Sequence, residues 1–232
     1  MVNNVKTARN IYEIAETLRY RYGDYAHNNR KNPLEELLFI ICSIKTSDAS
    51  YETTYRALRK DFPRFDMLAD APAEYIAKPL ASGGLYNQKS QAIRKLIDAI
   101  IVSFGKVTLA PLKAMTAEEC ESFLVSLPGV GKKVARCVMM YSLGHEVFPV
   151  DTHCWRVCRR IGWVRPTRPD RSCSPNDMDR LQDKIPPELR FSMHVNAVSL
   201  GREICTAHRP KCGRCPIVTY CKRICVAGKH RA

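Results

Sequence analysis

The stretch Leu127–His153, LPGVGKKVARCVMMYSLGHEVFPVDTH, carries the strongest pattern in this sequence. It begins with Leu-Pro-Gly-Val-Gly, a composition typical of a tight turn, and continues into a run whose apolar residues have helical spacing. The run stops at Gly144, and a short segment then leads to Asp151. This order predicts a hairpin, a helix, and a loop that delivers a carboxylate.

The hairpin and the lysines after it have the chemistry of an anion-binding and nucleophilic site. Gly129 and Gly131 let the backbone approach another molecule, and the next helix directs its N–H groups and positive dipole end to the same place. Such a turn suits a phosphate. Lys133, beside that dipole, is a candidate for a lowered pKa and hence for a nucleophilic amine. The alternative is a solvated Lys133 at a helix start and an Asp151 that only caps the next helix.

The charge balance points to a polyanionic partner. The 232 residues contain 37 Lys and Arg against 23 Asp and Glu, a formal net charge of +14. Nucleic acid and an anionic membrane surface are the partners that this excess favours. No apolar run approaches a membrane span, and the N-terminal MVNNVKTARN lacks the apolar core of a signal peptide. We therefore expect an intracellular protein of one large or two small domains that does not enter membranes.

The rest of the chain predicts helices throughout. Apolar residues recur at helical spacing in residues 5–22 and 88–104. A helix start is predicted at Asn32-Pro33-Leu34-Glu35, and Thr116-Ala117-Glu118-Glu119 is a capping box. Further helix starts are predicted at Ser174 and Pro187, and no convincing strand pattern occurs. The predicted fold class is all-α.

Four cysteines near the C-terminus have the spacing of metal ligands. Cys205, Cys212, Cys215 and Cys221 follow one another in a loop too short to have a core of its own. Soft thiolate ligands select zinc or an iron–sulfur cluster. The uneven spacing fits neither the two short knuckles of most zinc modules nor a two-cluster ferredoxin run. Cys225 lies beyond the pattern and is not an expected ligand.

Together these motifs resemble the helix-hairpin-helix DNA glycosylases, and among them endonuclease III most closely. The LPGVGKK hairpin, the VDTH segment, a GLYN turn and the four-cysteine loop carry the likeness, which spans roughly residues 26–223. The resemblance implies an all-α fold of two lobes. Residues 27–145 would form a helical barrel with the hairpin at its end, and residues 1–26 with 146–232 would form the lobe that holds the cysteine loop. The active site would lie in the cleft between the lobes.

The resemblance also implies roles for single residues. Lys133 would attack the sugar C1′, and Asp151 would assist. Leu85 would be the wedge that enters DNA when a base is extruded, and Lys45 would fill the hole that the base leaves. The cysteine loop would hold a [4Fe–4S] cluster and place basic residues against phosphates. The other residues expected at double-stranded DNA are Asp48, Gly129, Val130, Gly131, Lys132 and His153.

Two of these roles have a structural alternative, and two positions depart from the family pattern. Leu85 would otherwise cap a turn against the core, and His153 would otherwise pack or cap a helix. Lys45 stands where endonuclease III has a glutamine, and a lysine offers only donors to the opposite base. Val125 is apolar where close relatives often have an acidic residue. Both departures concern which base is chosen and leave the chemistry intact.

We therefore expect a monomeric, bifunctional DNA glycosylase and abasic-site lyase that removes oxidised pyrimidines from duplex DNA. The segments FPVDT and IGWV resemble the plant cytosine-demethylating glycosylases, so modified cytosine is an alternative target, as are alkylated and mismatched bases. A non-catalytic DNA-binding protein of the same fold is the alternative from a different functional class.

Overall fold

The computed structural model describes residues 2–25, 29–44, 46, 48–168, 170, 172–224 and 226, with the backbone alone in 2–9 and 48–50. Within those ranges the chain contains helices, turns and loops and no strand, so the predicted all-α class is confirmed. No helix there is both long and apolar enough to cross a membrane. The chain divides into two units: Met1–His27 with Glu146–Ala232, and Asn28–His145.

The unit of residues 28–145 is built around one apolar helix. Its helices are α2 (Pro33–Ser43), α3 (Asp48–Asp61), α4 (Ala73–Leu80), α5 (Tyr86–Phe104), α6 (Ala117–Ser126) and α7 (Lys132–Ser142), and the other unit's first helix is α1 (Val2–Tyr22). Helix α2 packs against α3, α5 and α7. Nine of its eleven residues are buried, because a helix that is apolar on nearly all sides must be covered from every direction.

Local capping explains where these helices begin. The Asn32 side chain accepts hydrogen bonds from the N–H groups of Leu34 and Glu35, and Pro33 occupies the first helical position. The Thr116 hydroxyl accepts from the Glu119 N–H at 3.3 Å, and the Glu119 carboxylate accepts from the Thr116 N–H at 2.8 Å. Both predicted helix starts are confirmed, since each depends on bonds within three residues of sequence.

The unit of residues 1–27 and 146–232 joins both ends of the chain. It contains α1, α8 (Thr152–Ile161), α9 (Pro175–Lys184) and α10 (Arg190–Glu203), followed by the cysteine loop. Helix α10 packs on α1 and α8, and the three share a core that includes Leu18, Phe148 and Leu181. The helix predicted to start at Pro187 begins instead at Arg190, because residues 187–189 form a single 3₁₀ turn.

Candidate functional site

The hairpin between α6 and α7 is a tight turn held by its own backbone and two buried side chains. The Val130 N–H donates to the Leu127 carbonyl at 3.1 Å, and Gly129 has φ of 78°, a conformation that favours glycine. Leu127 and Val130 are 4% and 5% exposed, whereas Gly129 and Gly131 lie at the surface. The turn is therefore anchored by its apolar residues and presents its glycines outward.

Gly131 begins α7 with open space around it. Its φ of −90° and ψ of 166° are ordinary extended values. In the described part of the chain, nothing lies within 4 Å of the place where a Cβ would stand. Gly131 is the N-cap of α7 and provides no side-chain acceptor to that helix. Glycine is common at an N-cap, and without a side chain it leaves this helix end open to an approaching anion.

Lys132 is held inside the protein's own charge network. Its Nζ lies 3.3 Å from Glu121 Oε1, and the buried Arg136 donates from Nε to Glu121 Oε2 at 2.6 Å. Glu121 belongs to α6, whereas both cations belong to α7. The three residues therefore brace the two helices on either side of the hairpin.

Lys133, the predicted nucleophile, follows on the first turn of α7 and is half-buried. Its positive charge acts on Glu36, a fully buried carboxyl on α2. Glu36 Oε2 accepts from the Arg30 N–H at 2.6 Å, and Oε1 accepts from the Asn29 side chain. Burial raises the pKa of Glu36, while these hydrogen bonds and the charges of Arg30 and Lys133 oppose that shift.

Sequence reasoning missed Glu36. The signal for it was an acidic residue one position beyond the expected Glu35, on the apolar side of a helix. A buried carboxyl of this kind needs partners, and its partners come from the segment before α2 and from α7.

Asp151, in the other unit, is the N-cap of α8. Its Oδ1 accepts the Cys154 N–H at 2.7 Å, and the residue is half-buried. The capping role that was the simpler alternative for this residue is therefore present. A carboxylate has two oxygens and about four acceptor positions, so capping leaves capacity for chemistry.

His153 lies in a structural network of the same unit. Arg156 Nη2 is 2.9 Å from its Nδ1 and donates to the Gly201 carbonyl at 2.8 Å, while Arg156 Nε donates to the Cys205 carbonyl at 2.7 Å. A Cβ on Gly201 would stand 2.7 Å from the Cβ of His153. The glycine is needed because α10 passes so close to α8 at this point.

Leu85 stands exposed on a strained turn. It precedes α5 with φ of 52° and ψ of 27°, and it follows Gly84, whose φ is 63°. The left-handed conformation costs a non-glycine residue roughly 1–2 kcal/mol. Leu85 is 40% exposed and so does not pack into the core, the alternative considered from its sequence. An exposed apolar side chain on strained backbone is typical of a functional position.

Lys45 and the side chain of Asp48 lie outside the described residues, and Val125 is 42% exposed on α6.

The four spaced cysteines come together around one cavity. Cys205, Cys212, Cys215 and Cys221 line it, beside Arg160 and the apolar Ile204, Pro210 and Val218. None of the ten cysteines in the described chain is in a disulfide. Burial raises the pKa of Cys215 and of Cys221, and the neighbouring thiols raise it further. A bound cationic centre would favour the ionised form of such thiols, because it compensates their negative charge.

The four cysteines offer sulfur donors alone, and soft thiolates are ligands of zinc and of iron–sulfur clusters. Among the described residues no group of three or more His, Cys, Asp or Glu side chains is arranged to hold one metal ion. Four soft sulfur donors around one shared cavity are the kind of ligand set that an iron–sulfur cluster takes. Arg160 donates from Nη1 toward Cys205 Sγ at 3.2 Å, and the Arg223 N–H donates to Cys221 Sγ at 3.4 Å.

Comparison with known proteins identifies the family. Residues 38–180 match the family described as the HhH-GPD superfamily of base excision DNA repair proteins. The chain belongs to this superfamily. The match includes the hairpin, Lys133 and Asp151, so the resemblance that those motifs indicated is confirmed.

Relatives within the superfamily include plant and bacterial proteins. A protein of Arabidopsis thaliana, provisionally named a DNA glycosylase, is 31% identical over 173 residues, which are 75% of this chain and 57% of that protein. Endonuclease III of Bacillus subtilis is 29% identical over 192 residues, 82% of this chain and 81% of the bacterial protein. The chain spans just over half the length of the Arabidopsis protein and about a tenth of two rice proteins that it also matches.

A solved structure has the same HhH-GPD fold over almost the whole chain. It is a trapped covalent intermediate of endonuclease III with DNA that contains an estranged adenine. The TM-score is 0.78 at 25% identity, with 93% of this chain and 96% of that chain covered. This agreement confirms the endonuclease III-like helix-hairpin-helix fold.

Proposed function

We propose that this chain is a base excision DNA glycosylase with abasic-site lyase activity, and that its substrates are oxidised pyrimidines in duplex DNA. The observation that carries the proposal is the pairing of Lys133 with its hairpin in a fold that, in endonuclease III, has been trapped in a covalent intermediate with DNA. A lysine at the head of α7 is the amine that such a bond requires. The protein would act as a monomer in the compartment that holds the DNA.

DNA binding is supported by charge and by the outward glycines. A net charge of +14 favours a polyanion, and the exposed end of α7 suits a phosphate. The exposed and strained Leu85 suits insertion into the base stack. Gly129, Val130 and Gly131 would then hold the strand while the target base is extruded.

The chemistry begins at the sugar. Lys133 Nζ forms a bond to C1′ as the bond from C1′ to the base breaks, and the base leaves with the electron pair and takes up a proton. Asp151 accepts the proton that the amine gives up and stabilises the positive charge that develops on the sugar. Opening of the sugar ring leaves an imine between C1′ and Nζ. The imine acidifies a 2′ hydrogen. When this hydrogen is lost as a proton, the bond from C3′ to the phosphate oxygen breaks and the 3′ phosphate leaves.

The cysteine loop would hold a [4Fe–4S] cluster through Cys205, Cys212, Cys215 and Cys221. The shared cavity and the soft donor set support this assignment. The loop also carries Arg209, Lys211 and Arg214 between its ligands, so holding it in shape places positive charge for phosphate contact. The bound group's contribution would be structural and electrostatic.

Replacing one proposed ligand is expected to remove iron from the protein. We expect Cys212→Ser, purified under anaerobic conditions, to lose most of its iron and sulfide and the visible absorption of the cluster, because a serine is a poor ligand for this soft centre. The control is Cys173→Ser, which removes a half-buried thiol of the same unit and should keep the wild-type iron content. Stoichiometric zinc in the wild-type protein would contradict the cluster.

Adding one methyl group at Gly131 is expected to weaken DNA binding without unfolding the hairpin. We expect Gly131→Ala to lower affinity for an abasic-analogue duplex by about tenfold, since a charged hydrogen bond is worth about 1.5–3 kcal/mol and the Cβ would hold a phosphate away. The stability cost should be that of a weaker helix cap, about 1 kcal/mol. The control is Thr116→Ala, which removes the cap of α6 at a similar cost and should bind DNA normally. Wild-type affinity in Gly131→Ala would show that the glycine does not meet the backbone of DNA.

Borohydride trapping tests the function directly. Wild-type protein is incubated with duplexes that contain thymine glycol, 5-methylcytosine or a preformed abasic site, and an imine is reduced to a stable adduct. We expect adducts with thymine glycol and with the abasic site. An adduct with 5-methylcytosine in place of thymine glycol would transfer the assignment to modified cytosine, the target favoured by the FPVDT and IGWV segments. No adduct with any duplex would overturn the lyase and favour a binding protein or a glycosylase without a lysine nucleophile.

A further inference from the structure

Lys89 is a buried lysine that serves neither the hairpin nor the cysteine loop. It lies on the first turn of α5, just after Leu85, and is 4% exposed. Its Nζ donates to the Cys42 carbonyl at 2.8 Å, to the Gly83 carbonyl at 3.0 Å and to Thr46 Oγ1 at 2.5 Å. An ammonium has three N–H donors, and these three hydrogen bonds account for all of them.

The three acceptors belong to two separate segments. Gly83 begins the wedge turn, which we define as Gly83–Tyr86 and which presents Leu85. Cys42 lies at the end of α2 and Thr46 lies between α2 and α3, and we call these two residues the α2–α3 junction. Lys89 therefore joins the segment of the proposed wedge to this junction.

A second bond closes the same link without the lysine. The Thr46 hydroxyl donates to the Gly83 carbonyl at 2.7 Å, so this carbonyl accepts hydrogen bonds from Thr46 and from Lys89 at once. Gly83 has no room for a side chain, because a Cβ on it would stand 2.6 Å from Thr54 Oγ1 on α3. The wedge turn is thus bound to the junction by Lys89 and Thr46, and its Gly83 packs closely against α3.

Burying the Lys89 ammonium costs free energy of folding, so stability by itself does not explain this residue. Taking an ammonium out of water is unfavourable, and these three acceptors are all uncharged. Consistent with this, burial lowers the pKa of Lys89. A lysine nevertheless has one property that an apolar residue of its size lacks, which is the ability to bind two carbonyls and a hydroxyl at one point. Lys89 therefore ties the end of α2 and Thr46 to the 3₁₀ turn that ends at Gly83.

We propose that Lys89 is a positioning residue that holds the wedge turn fixed to Cys42 and Thr46, so that Leu85 enters the duplex in a defined orientation. This inference rests on the proposed function. Extruding a base from a paired stack requires that the gap be filled as it opens, and a displacement of about 1 Å far from the chemistry can cost about 100-fold in rate. Lys89 would accordingly control base extrusion and leave the covalent chemistry at Lys133 untouched.

The test compares a target base that must be extruded with one that is already unstacked. Lys89→Met keeps the length of the side chain and removes all three donors, and Thr46→Val removes only the hydroxyl. The control is Lys95→Met, at an exposed position on the same helix. Single-turnover excision is measured for thymine glycol in a paired duplex and in a bulge, with rates normalised to the protein that borohydride traps on an abasic site.

We expect Lys89→Met to slow excision from the paired duplex by at least about tenfold, to leave excision from the bulge within about twofold, and to keep trapping on the abasic site. Thr46→Val should show the same pattern at a smaller size, about threefold, and Lys95→Met should match wild type. If Lys89→Met does not fold, the proposal is decided by Thr46→Val alone, through the ratio of its excision rate on the paired duplex to its rate on the bulge.

If the variants lost excision rate equally on the paired and bulged substrates, or on neither, the positioning role would be overturned. Trapping by the wild-type protein would still uphold the proposed function. A wild-type protein that traps on none of these duplexes would overturn the proposed function, and this inference with it.

Discussion

Lys133→Gln is expected to abolish borohydride trapping on every duplex that the wild-type protein traps. Glutamine is similar in length and polarity but has no basic amine, so neither the bond to C1′ nor the imine can form. The loss should exceed about 10⁴-fold in the rate of adduct formation, the order expected when a covalent nucleophile is removed. DNA affinity should fall only slightly. The slope of log affinity against log salt concentration should decrease by about the amount that one phosphate contact contributes. The measurements are trapping on an abasic duplex and equilibrium binding at several salt concentrations.

The adjacent lysine supplies a matched control for this experiment. Lys132→Gln makes the same change one residue earlier, at a side chain that lies 3.3 Å from Glu121 and not at the proposed nucleophile. Because Arg136 continues to bind Glu121 at 2.6 Å, the brace between α6 and α7 should survive and trapping should persist. If Lys133→Gln still trapped DNA and Lys132→Gln did not, the nucleophile would be assigned to the wrong lysine.

Asp151→Asn is expected to reduce base excision by about 10²–10⁴-fold while the protein remains folded. Asparagine caps a helix as well as aspartate does, so the hydrogen bond from the Cys154 N–H should persist. Only the negative charge is lost, and with it the acceptor for the lysine proton and the partner for the positive sugar. Single-turnover excision, circular dichroism and thermal unfolding measure the three expected properties.

Two further variants separate the effect of the Asp151 charge from the effect of its helix cap. Asp151→Ala should lose the same catalysis and, in addition, about 1 kcal/mol of stability through the missing cap. Asp183→Asn removes one exposed carboxylate from α9 in the same unit and should excise normally. Normal excision by Asp151→Asn would reduce Asp151 to the capping role that the structure already displays.

The cap residues show how much a local pattern can predict. Asn32 and Thr116 were read as helix starts because each bonds to groups within three residues along the chain, and the structure places those bonds as expected. The start at Pro187 was wrong by three residues, since the proline began a 3₁₀ turn before the helix. Helix boundaries follow local chemistry closely except where two kinds of helix compete for the same turn.

Long-range contacts were outside the reach of such patterns. Lys89 is 47 residues from its acceptor Cys42 and 43 from Thr46, and no periodicity in the sequence relates them. The motif predicts Lys132 at DNA, and its ion pair with Glu121 on the preceding helix is a contact that the motif does not reveal. These partners meet because helices of the same unit pack, and packing depends on the whole apolar surface of the unit.

The sequence by itself determined the helical class, the hairpin with its lysine, the family and the four-cysteine spacing, because each of these is encoded in neighbouring residues. Only the tertiary structure decided that Glu36 is buried within the electrostatic reach of Lys133, that Leu85 stands exposed on strained backbone, and that Lys89 ties the wedge turn to the α2–α3 junction. The physical reason is that burial and long-range hydrogen bonds follow from which helices pack together, and packing is a property of the folded unit as a whole.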